Sequence, residues 1–133
     1  MRTPKSDPLS ELRRICLGLP EAREVEAREV EAWGAPTFRV KTMFATYSDG
    51  RYGIPDRPSA WVKALPTNRE LLIRRDAERY FVPPYVGPKG WIGVLLDAPE
   101  MDWDELKSLV WDAWQLSVPT SLLRRHPDPP AGW

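Results

Sequence analysis

The sequence is short of the residues that most catalytic and metal centres require. It holds one cysteine, Cys16, and one histidine, His126, among 133 residues. A single cysteine cannot form an internal disulfide, and one histidine near the C-terminus cannot build a histidine-based triad or metal site. The chain also lacks the glycine-rich nucleotide-binding and nucleophile-elbow motifs. We therefore expect a protein without cofactor or metal that is not an enzyme, with Cys16 as an inert core thiol.

Neither an excess of one charge nor a long apolar run is present. Lys and Arg number 19, and Asp and Glu number 19. Zero net charge counts against a strongly electrostatic nucleic-acid binder, although a local basic patch stays open. No apolar run approaches the ~18 residues of a membrane span, and the N-terminus lacks the apolar part of a signal peptide. These absences predict a cytoplasmic protein with no membrane partner.

The chain is rich in proline and tryptophan, with 15 and 7 residues respectively. Many prolines indicate many turns and strand ends, and many tryptophans indicate a core or groove built from large flat side chains. The length fits one domain over residues 1–133. Residues 1–6 and 127–133 are expected to be loosely ordered tails.

Three helices are indicated by caps and apolar spacing. The first begins after Asp7 with Pro8 at its first position and stops at Gly18. A second is expected after Thr67 as N-cap, with Glu70 completing a capping box. The clearest is capped by Asp102, and Glu105 completes a similar box. Its predicted inward face comprises Trp103, Leu106, Val110, Ala113, Trp114 and Ser117.

Between the helices the pattern is typical of strands. Three strands are expected within residues 36–64, and two more on either side of a "VGPKG" hairpin turn at 86–90. A short helix, "PTSLLRRH", ends the domain. The order α-β(3)-α-β(2)-α with a short C-terminal helix predicts an α+β two-layer sandwich, an antiparallel sheet with helices on one side.

The pentapeptide EAREV occurs twice in a row, at 21–25 and 26–30. A period of five matches neither a helix nor a strand, so the two copies cannot present one continuous apolar face. The composition of Ala, Glu and Arg favours a helix, which is a weak preference that tertiary contacts can override.

Several stretches together resemble the MmcQ/YjbR-like family of small bacterial proteins. They are "LPEA", "WGAPTFRV", "MFATYSDG", "AWVKALP", "YFVPPYVGPKGWIGV" and "DWDELKSLVWDAWQLSVP". The resemblance covers roughly residues 9–125. It implies an α-β(3)-α-β(2)-α fold similar to frataxin-like and secretion-chaperone-like folds, and a double-wing DNA-binding motif proposed from shape, with no catalytic residue or cofactor. It also suggests that the second EAREV is a tandem duplication tolerated in a surface connection.

The sequence is compatible with two kinds of binding surface. A DNA-binding face would use basic residues of the sheet and its loops, namely Arg39, Lys41, Arg51, Arg57, Lys63 and Lys89. The alternative is a groove for a peptide, a small planar ligand or a second copy of the chain, lined by Trp33, Trp61, Tyr85 and Trp91. Alternatively, the basic residues have no binding role and simply form an ordinary solvated sheet face. Asp102, Asp104 and Glu105 are expected to be structural, since they begin a helix.

Overall fold

A computed structural model describes residues 7–25, 35–50, 57–98 and 101–133. Its helices are α1 (Pro8–Leu17), α2 (Pro66–Arg75), α3 (Trp103–Gln115) and α4 (Thr120–Arg125). Its strands are β1 (Arg23–Val25), β2 (Thr37–Arg39), β3 (Met43–Ser48), β4 (Ser59–Val62), β5 (Tyr80–Phe81) and β6 (Ile92–Leu95). None of the helices in this described part is long and apolar enough to cross a membrane.

The strands form one antiparallel sheet in the order β1-β2-β3-β4-β6-β5. Residues from all four helices join the main apolar cluster, which lies against one face of this sheet. The predicted α+β sandwich is therefore confirmed. A β-bulge between β2 and β3, where the register shifts after Phe38, sends both Phe44 and Ala45 into the main cluster.

The first EAREV copy adds a strand that the sequence did not predict. Its residues Arg23–Val25 form β1, which pairs with β2. The helical preference of its composition is overridden because Val25 is buried and Glu24 accepts two hydrogen bonds from Arg13 of α1, at 2.8 and 3.0 Å. The second copy, at 26–30, lies outside the described residues.

Helix α3 supplies the centre of the main cluster, as its apolar spacing predicts. Leu106, Val110, Ala113 and Trp114 are each at most 1% exposed, while Trp103 is only partly buried. The indole N–H of Trp114 donates to the carbonyl of Pro20 at 3.0 Å, so the helix is tied to the segment after α1. The predicted caps at Asp7 and Asp102 are confirmed, since their carboxylates accept from the backbone N–H groups of Ser10 and Glu105.

The predicted start of α2 at Thr67 is wrong. The N-cap is Leu65, two residues before Thr67, and the helix begins at Pro66; Leu65 makes no side-chain cap bond. Proline at the first helical position, whose missing N–H costs nothing there, decides the start. The capping box at the start of α3 is also incomplete. The Glu105 carboxylate accepts from the Arg75 guanidinium at 2.6 Å instead of from the backbone N–H of the N-cap residue.

Strands β5 and β6 pair as expected, but a loop of residues 82–91 joins them in place of a tight hairpin turn. The loop contains one 3-10 turn, Gly87–Lys89, closed by Gly90 at φ 95°, a left-handed conformation that favours glycine. Its residues Val86 and Trp91 cover Trp61 on the second face of the sheet. Gly93 lies against the Phe81 ring, and a Cβ at this position would require the ring to shift.

The C-terminal residues 127–133 continue from α4. The side chain of Trp133 packs against the main cluster, and the backbone N–H of Trp133 donates to the carbonyl of Pro130 at 3.2 Å. The expectation of loosely ordered tails stays a prediction for 127–133, and residues 1–6 lie outside the described ranges.

Candidate functional site

Two of the predicted basic residues meet at the turn between β2 and β3. The strand predicted through "FRVKT" ends at Arg39, so Lys41 lies exposed in the turn 40–42 and not on the sheet face. The Arg39 guanidinium Nη2 nevertheless donates to the carbonyl of Lys41 at 3.0 Å. The Nε of Arg39 is buried and has no hydrogen-bond partner within the described structure. One donor of this guanidinium is thus left unsatisfied.

Lys63 and Lys89 lie at the same end of the sheet. Lys63 follows β4 directly, and its ammonium donates to the hydroxyl of Thr42 in the β2–β3 turn at 3.1 Å. Burial lowers the pKa of Lys63, and the charge of nearby Lys89 lowers it further. We call the surface formed by Arg23, Arg39, Lys41, Lys63 and Lys89 the basic end.

Arg23 belongs to this surface and was missed from sequence. It stands directly opposite Arg39 in the ladder of β1 and β2, and facing positions in a ladder direct their side chains to the same side of the sheet. The strand β1 was not expected in a stretch of helical composition, so no local signal placed Arg23 beside Arg39.

Arg57 is not brought to the basic end. Arg57 precedes β4, whereas Lys63 follows it, so the two lie at opposite ends of that strand. The Arg57 guanidinium donates to both oxygens of Asp97, at 3.0 and 2.7 Å, and this pairing lowers the pKa of the carboxyl. Arg51 lies outside the described residues.

The two predicted groove tryptophans within the described residues, Trp61 and Trp91, are buried and do not line an open groove. Trp61 and Trp91 are 2% and 3% exposed, since Trp91, at the end of the 82–91 loop, packs on Trp61 together with Val86. The Trp61 indole donates to the hydroxyl of Ser59 at 3.0 Å. Tyr85 of the same loop is exposed, and Trp33 lies outside the described residues. Of the predicted groove residues, Tyr85 is therefore the described one that solvent can reach.

The acidic residues at the start of α3 have structural partners. Asp102 caps the helix, Asp104 lies 3.7 Å from Lys107, and Glu105 binds Arg75. Across the described ranges, no three His, Cys, Asp or Glu residues come together as a set that could hold a metal ion. Cys16 is fully buried in the main cluster, and burial raises the pKa of its thiol well above the ordinary value. A buried thiol of this kind is a poor nucleophile.

A cavity of about 300 Å³ opens between the end of β4, the start of α2 and the second half of α3. We call it the α2–α3 pocket. Its polar lining comprises Lys63, Asn68, Asp112 and Gln115, and its apolar lining comprises Ala64, Leu65, Leu109 and Leu116. Burial raises the pKa of the Asp112 carboxyl. The spacing of 109, 112 and 116 places three of these residues on one face of α3, a second face that the apolar pattern of the helix did not reveal.

The family model described as YjbR matches residues 17–116. The chain belongs to the YjbR family. The resemblance found from the sequence is thereby confirmed, and the match covers the stretch from the end of α1 to the end of α3. No curated protein matches the chain.

Two solved structures share the YjbR-family fold seen here. One is the crystal structure of a Deinococcus radiodurans protein with a DUF419 domain, at 21% identity and a TM-score of 0.66, covering 81% of this chain and 76% of that one. The other is a Pseudomonas syringae protein from a structural genomics consortium, at 18% identity and a TM-score of 0.62, covering 86% of this chain and 100% of that one. At these identities the likeness concerns the fold alone.

Proposed function

We propose that this YjbR-family protein is a non-catalytic module that binds nucleic acid, DNA in the first place, through the phosphate backbone at the basic end. The observation that carries the proposal is the Lys63–Thr42 contact together with the Arg39–Lys41 bond. These two contacts gather side chains from two strands and a turn at one place. Phosphate contacts from clustered Arg and Lys side chains supply most of the sequence-independent affinity for DNA.

The pairing of charges across the described residues favours this surface. No described carboxylate pairs with any of the five cations of the basic end. Other cations have acidic partners, among them Arg13, Arg57 and Arg75. A protein of zero net charge can thus present a local positive surface, because its carboxylates neutralise cations elsewhere.

The acidic start of α3 lies at the opposite end of that helix from the pocket that Lys63 lines. Glu105 and the pocket residue Leu116 are separated by about 16 Å along the helix, at 1.5 Å per residue. That distance exceeds the Debye length of about 8 Å at physiological ionic strength, so repulsion of phosphate by these carboxylates is largely screened. A cytosolic location, expected from the sequence, remains a prediction.

Duplex binding measured by fluorescence anisotropy over a range of salt concentrations tests the proposal. Five phosphate contacts predict a log–log slope of roughly −4.5, and Arg39→Ala or Lys63→Ala should each reduce its magnitude by about 1. Arg57→Ala is the matched control, since Arg57 lies at the other end of β4 with Asp97 as partner. It should leave the slope unchanged.

Two results would overturn the proposal. One is the absence of binding tighter than ~100 μM at low salt, near the weak end of non-specific affinities. The other is a slope that changes equally in the control and in the basic-end variants, because a specific surface must distinguish them.

A further inference from the structure

The α2–α3 pocket holds a cation and an anion that do not neutralise each other. Lys63 lies on the strand side and Asp112 on the α3 side, and no ion pair or hydrogen bond joins them. Within the described ranges the Asp112 carboxyl has no side-chain partner, and the Lys63 ammonium binds a neutral hydroxyl, that of Thr42. Two opposite charges therefore line one cavity with a gap between them.

Burial destabilises the charged forms of both side chains. Burial is the largest cause of the lowered pKa of Lys63 and the sole cause of the raised pKa of Asp112. Each direction disfavours the charged form of its group. A bound anion beside Lys63 and a bound cation beside Asp112 would reverse both effects.

The partial charges of the two helix ends at the pocket have the same arrangement as the charges of the two side chains. Helix α2 begins at the pocket, lacks a side-chain cap and directs the N–H groups of its first turn, including that of Asn68, toward this end. Helix α3 finishes at the pocket with Gln115 and its C-cap, Leu116. The start of a helix favours an anion and its end favours a cation. The pocket thus has a positive side and a negative side.

An apolar wall lies between and beside these groups. Leu65 and Leu116 are 52% and 45% exposed, which leaves apolar surface open at the pocket mouth next to the buried part of Leu109. Small-molecule sites combine such apolar surface with a few placed polar groups.

We propose that the α2–α3 pocket binds a small zwitterion of the amino-acid type. Its carboxylate lies against Lys63, its ammonium lies against Asp112, and its apolar side chain lies on Leu109 and Leu116. The site goes beyond the nucleic-acid surface and shares Lys63 with it. Binding is non-covalent, with no bond made or broken.

Three related probes test the charge pattern: phenylalanine, N-acetylphenylalanine without the ammonium, and phenylalaninamide without the carboxylate. Binding to the full chain is followed by the NMR shifts of the methyl groups of Leu65, Leu109 and Leu116. Phenylalanine should shift these methyls, and each single-charge analogue should bind up to about fivefold more weakly, as expected for one lost ion pair. Equal binding of all three, or no shift with phenylalanine, would overturn the proposal.

Substitutions test which side chain of the pocket binds which charged group of the probe. Asp112→Asn should weaken phenylalanine about fivefold and leave N-acetylphenylalanine unchanged, because that probe has no ammonium to lose. Leu116→Trp should block all three probes by filling the pocket. Leu71→Trp is its control, since Leu71 is a similarly exposed leucine of α2 outside the lining. If Leu71→Trp abolished binding as well, the assigned pocket would be wrong.

The two proposals can fail separately. Asp112 takes no part in the DNA titration, and Arg39 and Lys41 take no part in the pocket. Failure of the natural chain to bind DNA would leave the phenylalanine titration intact, and the reverse also holds; Lys63→Ala changes both sites and does not separate them.

Discussion

Arg23 and Arg39 face each other across the β1–β2 ladder, and the buried Nε of Arg39 has no hydrogen-bond partner within the described structure. Like charges at facing positions destabilise a sheet. An anion bound at both guanidinium groups would neutralise this repulsion. The pair therefore links stability and binding in opposite directions.

Reversing the charge of Arg23 should separate the two effects. Arg23→Glu replaces a repulsion by an attraction, and we expect the free energy of unfolding to rise by about 0.5–1 kcal/mol while DNA binding weakens. Urea denaturation and anisotropy measure the two quantities. Arg124→Glu, at an exposed position in the last turn of α4, makes the same change of charge away from the sheet; it should leave DNA binding nearly unchanged and should not raise the free energy of unfolding, since a helix end disfavours an anion. A loss of stability in Arg23→Glu would contradict the inferred repulsion.

Truncation of Trp114 should be among the most costly single changes in the main cluster. The side chain is fully buried, stacks on Trp111 at 5.1 Å between ring centroids and donates to the Pro20 carbonyl. Trp114→Ala should lower the free energy of unfolding by roughly 3–5 kcal/mol, measured by chemical denaturation. Trp111→Ala is the comparison, because Trp111 is only partly buried and should cost less. Equal costs would mean that burial does not distinguish the two rings.

Removal of one EAREV copy should be tolerated. Deleting 26–30 shortens the connection between Val25 and Thr37, which are paired in the β1–β2 ladder, from residues 26–36 to residues 31–36. The entropic cost of closing the loop changes by only about 0.5 kcal/mol on such a shortening. The free energy of unfolding should therefore stay within about 1 kcal/mol of that of the natural chain. Deleting 21–25 yields the same sequence.

A second variant separates the length of this connection from its chemistry. Replacing 26–30 by Gly and Ser residues keeps the length and should also change the free energy of unfolding by less than about 1 kcal/mol. If either variant failed to unfold cooperatively, the second copy would be part of the folded core.

The carboxyls of Asp112 and Asp97 should give opposite pH dependences. Since the folded pKa of Asp112 lies above the unfolded one, the folded protein binds more protons between the two values, and stability falls as pH rises through them. Asp112→Asn removes this loss, so its free energy of unfolding relative to the natural chain should be higher at pH 7 than at about pH 3.

Asp97 provides the control with the opposite sign. Its folded pKa is lowered by the hydrogen bond from Arg57, so its stabilisation is present above the unfolded pKa and is lost as pH falls through the folded one. Asp97→Asn should therefore be destabilised at pH 7, and the difference should shrink in acid. Chemical denaturation at several pH values measures both variants. Parallel pH profiles for the two would contradict the assigned causes.

The helices α1 and α3 were predictable from sequence because their signals are local. A capping aspartate, a proline at the first turn and apolar residues at helical spacing lie within a few residues of each other. The same spacing identified Trp114 and its neighbours as core residues. The family resemblance lies in equally continuous stretches of residues, so the sequence alone was sufficient to reveal it.

Tertiary structure decided β1, the loop over Trp61 and both candidate sites. The EAREV copy at 21–25 has a helical composition, yet pairing with β2 and the contact of Glu24 with Arg13 make it a strand. Arg23 meets Arg39, and Lys63 lies across a pocket from Asp112, only because strands and helices distant in sequence pack side by side. Caps and periodicity act over a few neighbouring residues, whereas burial, charge pairing and cavities depend on contacts between segments far apart in the chain.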